Sequence, residues 1–180
     1  MISKLDKIIN KIIVNKYFIF TFIVIFILSP QVKFLNLSLN IFDTGLYASN
    51  LYSIHYFNNL NGIFMGHFQP ILLILSKIYI FTDKFSINAL ILLQSLCLIS
   101  PVFFYKNSDK LKLVYLISFP LWYINYNGFH TDVFIVPLLF LLLNFKTNFK
   151  YIFLFSFILI KEIYILFAIS YLFYEISLNN

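Results

Sequence analysis

The sequence predicts an all-α, polytopic integral membrane protein with five or six membrane segments. Three observations carry that expectation. Hydrophobic residues make up 61% of the 180 positions and charged ones 11%, where a soluble domain of this size has roughly a quarter of its residues charged. The apolar residues come in long runs rich in Phe, Ile and Leu. The cations, all of them Lys, sit in small groups between those runs, so the net charge of +6 reads as membrane topology. This composition excludes an ordinary water-soluble enzyme and a disordered chain. A nucleic-acid reader is excluded too, because it would gather its cations on one solvated face. The single cysteine, Cys97, lies within an apolar run and excludes an internal disulfide.

Residues 1–16 carry Lys4, Lys7, Lys11 and Lys16 against Asp6, ahead of the apolar run Tyr17–Leu28. A Lys-rich start before a first span argues for a cytoplasmic N-terminus in the cell membrane. Leu28-Ser29-Pro30-Gln31-Val32 lacks the small-residue site at which a signal peptide is cut, so an uncleaved helix is expected, stopped by Ser29-Pro30. Residues 17–180 then form one membrane domain, with residues 31–84 as a long first extracytoplasmic loop. Within that loop Pro70–Phe81 is apolar but covers too few residues to span, since crossing the hydrocarbon takes about 20. A helix lying on the membrane surface is expected there. Phe85–Tyr105 is a full-length span, and Lys106, Lys110 and Lys112 return the chain to the cytoplasm.

From Leu113 to Asn144 two apolar flanks surround a polar centre, Asn125 to Asp132, which predicts two tilted or partly embedded helices meeting at the outer surface. Lys146 and Lys150 mark the cytoplasmic side again. The last apolar stretch, Tyr151–Ile176, is interrupted by Lys161-Glu162. It is either one long span with a buried ion pair or two short helices turning at that pair.

Asp43, Asp132 and Glu162 stand apart from the other acidic residues, because each is expected on the outer side or within the membrane, where ionisable groups tend to mark function. A carboxylate at Asp43 can act as general base toward a hydroxyl or hold a divalent cation; the alternative is a helix N-cap. His67, before Pro70, offers a hydrogen bond to a substrate or to phosphate, or else serves as a polar cap at the interface. His130 and Asp132, two residues apart, can face the first loop across the membrane surface, or sit in a wet turn. Lys161 can hold a phosphate, or pair with other charges in the bundle. The spacing of His55 from Asp43 matches no standard metal site.

In order, Phe42-Asp43-Thr44-Gly45-Leu46-Tyr47, Gly66-His67-Phe68-Gln69-Pro70-Ile71-Leu72-Leu73, Gln94 with Pro101, Phe119-Pro120, Phe129-His130-Thr131-Asp132 and Ile160-Lys161-Glu162 make a set. This set resembles a bacterial and archaeal family of predicted membrane proteins of unknown function, grouped with the GT-C glycosyltransferases. The family pattern runs approximately FDLGIxDQ, HFSPIL, Q before a P-bearing second span, YP…FHxE/D and KEd. Ala48 replaces an Asp or Asn, Gln69 a Ser, and Ile163 an acidic residue. Family members are longer, so the chain is expected to correspond to their N-terminal portion, with a C-terminal half or a protein partner supplying the rest.

The resemblance implies a GT-C-like fold that takes a sugar from a polyprenyl-phosphate carrier at the outer membrane face. Asp43 would then be catalytic, as a base or with a divalent cation. His67, His130 and Asp132 would shape the sugar pocket, and Lys161 would face the donor phosphate, paired with or oriented by Glu162. The alternative is a non-enzymatic multi-pass protein, a transporter subunit or assembly partner, whose polar residues pair across helices.

Overall fold

The computed structural model describes residues 16–36, 41–64, 67–80, 86–104, 109–144 and 149–179. Among them the chain is helical throughout, with no strand: α1 (Lys16–Leu35), α2 (Ile41–Phe57), α3 (Ile71–Ile80), α4 (Ser86–Phe104), α5 (Asp109–Leu116), α6 (Phe119–Tyr126), α7 (Ile135–Asn144), α8 (Phe149–Ile160) and α9 (Tyr164–Asn179). Two 3-10 turns, Leu60–Phe64 and Thr131–Phe134, precede α3 and α7. The N-terminal lysines before Lys16, together with Lys106 and Lys146, lie outside the described residues.

Prolines shape the two longest helices without ending them. Pro30 has no N–H to offer the carbonyl of Phe26, four residues back, and a proline there ordinarily breaks or kinks a helix. The orphaned oxygen instead accepts a bond from Asn125 Nδ2 at 2.9 Å, with Ser29 Oγ at 3.4 Å. The helix therefore runs five residues past the stop expected at Ser29-Pro30. Pro101 repeats the device in α4, where Ser100 Oγ donates to the freed carbonyl of Cys97 at 2.7 Å.

The stretch 31–84, expected as a loop with one helix over Pro70–Phe81, holds a helix there as α3, but where described it also holds the end of α1 and all of α2. At the end of the chain, α8 and α9 fold back on each other around a turn at Lys161–Ile163, which decides for two short helices over one span. Lys150 and Glu175 close the far end of this hairpin at 2.6 Å.

Among the described residues, two helices are long and apolar enough to cross a membrane, Tyr17–Leu35 and Ile87–Phe104. The other apolar helices are shorter; α8, with 12 residues, is about 18 Å long against about 30 Å of hydrocarbon. Among the described residues, two of the five or six expected segments thus reach spanning length.

Packing is organised in three clusters. Phe26, Leu98, Ile99, Leu116 and Leu121 centre the first, between α1, α4, α5 and α6. Leu51, Leu72, Leu75, Leu90 and Phe129 bind α2 and α3 to the segment before the second 3-10 turn. Leu142, Leu154, Phe157 and Ala168 hold α7 against the α8–α9 hairpin. α1 and α4 run antiparallel, since Gln31 Nε2 reaches Asn88 O at one end while Asn125 joins Phe26 to Ser95 further along. Asn88, Tyr126 and the loop after it therefore gather at the C-terminal end of α1.

Candidate functional site

The centre of the site is the segment Gly128 to Asp132. Gly128 has φ of 102°, a conformation in which side chains are rarely tolerated, and it lets the chain reverse after α6. Three of the backbone groups in this reversal are met from other elements. Gln94, fully buried on α4, donates from Nε2 to Gly128 O at 2.8 Å and accepts at Oε1 from the His130 N–H at 2.9 Å. Thr44 on α2 accepts the Phe129 N–H at 3.1 Å. Thr131 donates to Gln69 Oε1 at 2.8 Å, and both are buried. Tyr47 lies edge-on to Phe129 at 5.4 Å, with its hydroxyl 3.5 Å from Thr131 Oγ1. Buried polar groups of this kind hold a unique geometry because each lost bond would leave a partner unsatisfied.

The charged residues sit on this frame. Lys161 donates to both oxygens of Asp132, at 3.2 and 3.0 Å, and Tyr164 donates to Oδ1 at 2.8 Å. One residue on, Glu162 turns the other way: its carboxylate meets His67 Nδ1 at 2.8 Å, and its N–H donates to Phe68 O at 3.3 Å. The His67 hydrogen bond holds the Glu162 carboxyl below its usual range. Lys161 is thus held by Asp132, and Glu162 by His67, where the resemblance implied that Glu162 pairs with or orients Lys161. The two pairs join the loop before α3, the loop before α7 and the α8–α9 turn into one polar surface.

His130 and Asp132 also line a cavity of about 320 Å³ between α4, α6 and α7. Leu98, Ile124, Val133 and Val136 make most of its wall apolar, with Asn127 and Tyr123 beside the two titratable groups. His130 stands 6.5 Å from the Tyr47 ring, so the cavity and α2 approach the same loop from two sides. Asp43 precedes Thr44 in the first turn of α2, which brings its backbone to this loop; its side chain lies outside the described residues. His55 is twelve residues along the same helix, about 18 Å away by helical rise. Among the described residues no three His, Cys, Asp or Glu side chains gather to hold a metal ion.

Of the candidate residues, His67, Asp132, Lys161 and Glu162 are brought together in two linked pairs, and His130 adjoins them. Thr44, Tyr47, Gln69, Gln94, Thr131 and Tyr164 complete the site without having been singled out as site residues from the sequence. One signal was available for Gln94 and Ser95: two adjacent polar residues within an otherwise apolar run need partners inside the protein. With oxygens already engaged by Lys161 and Tyr164, Asp132 is a held anion suited to orienting neighbours. No family model, no curated protein and no solved structure matches the chain.

Proposed function

We propose that the chain is a multi-pass membrane protein related to GT-C glycosyltransferases, which receives a polyprenyl-phosphate-linked sugar at the outer membrane face. The observation that carries this reading is the convergence of polar segments far apart in sequence, Thr44–Tyr47, His67–Gln69, Gln94 and Lys161–Tyr164, around the one loop Phe129–Asp132 in an otherwise apolar chain. Lys150, paired with Glu175, lies at the opposite end of the α8–α9 hairpin from Lys161 and Glu162. That separation supports a cytoplasmic Lys150 and an outward-facing site. The outer surface of α1 supports a lipid environment: only 17% of its apolar window is buried, and Phe20, Leu28 and Val32 are all more than half exposed.

In this reading Asp43 deprotonates the acceptor or holds a divalent cation, His130 and Asp132 border the sugar pocket, and His67 closes its rim with Glu162. Lys161 faces the donor phosphate while Asp132 keeps its ammonium in place. Two experiments test this reading. Single cysteines at residues 43, 67, 130 and 162 in a Cys97→Ser background are expected to react from outside with a membrane-impermeant thiol reagent, and one at 175 only after permeabilisation. Labelling of 43 and 130 from opposite sides would remove the shared site. In proteoliposomes, Asp43→Asn is expected to abolish transfer from a polyprenyl-phosphate hexose while insertion persists; unchanged transfer takes Asp43 out of catalysis.

One observation favours the second reading, a non-enzymatic transporter subunit or assembly partner: both charged pairs of the site are already matched within the chain. That reading expects Lys161 and Asp132 substitutions to damage folding or assembly, with no sugar transfer to lose.

A further inference from the structure

A second groove, of about 510 Å³, runs along the outside of α1 and ends against α6. Val24, Leu28 and Val32 recur every fourth residue along its floor, one face of a helix, and Leu28 and Val32 are more than half exposed. The stripe from Val24 to Asn36 covers thirteen residues, about 18 Å of helix. Its apolar floor leads to a polar end, Lys33 and Asn36 with Tyr126. Lys33 Nζ is set there by two contacts with one residue: it donates to Tyr126 O at 3.2 Å and sits 5.0 Å from the centre of the Tyr126 ring.

We propose that this groove binds a glycerophospholipid of net negative charge carrying a single phosphate, its acyl chain along Val24–Val32 and its phosphate at Lys33. The proposal rests on α1 crossing a bilayer and is independent of glycosyl transfer. In a bilayer the apolar stripe meets hydrocarbon and the last turn of α1 meets the headgroups. A cation at that end lies opposite the Lys-rich start of the helix, on the side where lysines are disfavoured. Lys33 is also oriented by an aromatic face and a carbonyl. Cation and apolar floor lie end to end, and that arrangement matches an anionic lipid better than a free anion, for which the stripe has no use. A zwitterionic lipid meets the same floor but presents its own cation to Lys33.

The test uses the full chain purified in a zwitterionic detergent, with native mass spectrometry of adducts formed with phosphatidylglycerol and phosphatidylcholine of the same acyl chains. The wild type is expected to retain phosphatidylglycerol roughly fivefold over phosphatidylcholine, the effect of one cation near an anionic headgroup. Lys33→Gln should bring the two lipids level at unchanged helix content, while Lys77→Gln on α3 leaves the preference intact. Leu28→Trp, which fills the apolar floor, should lower both adducts. The proposal is overturned if Lys33→Gln keeps the preference, which would leave Lys33 serving only the C-terminal end of the helix. It is also overturned if inorganic phosphate displaces the lipid. Failure of the membrane reading itself appears separately, as release of the chain from cell membranes by alkaline carbonate.

Discussion

Lys161 and Asp132, 29 residues apart, form a two-toothed ion pair that ties the α8–α9 turn to the loop before α7. Lys161 is only 15% exposed, and Tyr164 adds a third bond to the same carboxylate. Removing either partner leaves the other with a partly buried charge. Lys161→Met and Asp132→Asn are each expected to lower stability by about 1–2 kcal/mol, the range for a hydrogen bond to a charged group reduced for partial exposure. The double variant should cost little more than one single variant, because the second change removes the group that the first stranded. Unfolding in mixed micelles measures the cycle, and strictly additive losses would show that the two residues do not act as a pair.

Gln94 is the hinge of the polar frame. Replacing it with Leu keeps the apolar character of α4 but strands the His130 N–H and the Gly128 carbonyl, both in contact with a fully buried side chain. Each stranded buried group costs about 1–3 kcal/mol, so a total of about 2–6 kcal/mol is expected. Hydrogen exchange gives the local readout: the His130 amide should lose protection before the amides of α4 do. Equal exchange in the variant and the wild type would mean that Gln94 does not hold the loop.

Two glycines should respond with opposite signs to the same substitution. Gly128 has φ of 102°, so Gly128→Ala forces a side chain into a conformation costing about 1–2 kcal/mol. Gly45 is inside α2, and a Cβ placed there meets nothing within 4 Å. Gly45→Ala should therefore raise stability by about 0.5–1 kcal/mol through the gain in helix preference. Thermal unfolding of the two variants, side by side, checks both. Destabilisation by Gly45→Ala would show that the first part of α2 packs more closely than described here.

Much of this architecture is legible in the sequence because hydrocarbon imposes simple patterns. The apolar runs and Lys groups mark the helices α1 and α4, and the charges at 132, 161 and 162 stand out against their surroundings. Pro30 misleads, since the residue that rescues the helix, Asn125, lies 99 positions from the Phe26 carbonyl it satisfies. α2 is hidden by its Asn, Ser and Tyr residues, which read as loop until α3 covers Leu51 and Ile54. The pairing within the site was not legible either. Lys161 and Glu162 are neighbours in sequence, but they occupy a turn, where successive side chains diverge to Asp132 and His67. Adjacent charges predict a pair only when the backbone conformation between them is known.

The His67–Glu162 contact gives the site a dependence on acid. His67 donates a hydrogen bond to a carboxylate that the fold holds below its ordinary value of 4.5. A carboxyl whose value falls on folding contributes stability above its unfolded value, and that contribution is lost as pH drops through the lower, folded value. The link between the loop before α3 and the α8–α9 turn is thus expected to be intact from neutrality down to about pH 5 and to weaken below about pH 4. Glu162→Gln should unfold more readily than the wild type at neutral pH, and the difference should shrink as the wild-type carboxylate takes up its proton. Because both side chains are nearly half exposed, salt will reduce the effect at every pH. Stability of the two proteins compared between pH 3 and 7 decides the matter. A gap that stays constant across that range would mean that the charge of Glu162 contributes nothing, since the backbone bond to Phe68 is the same in both proteins.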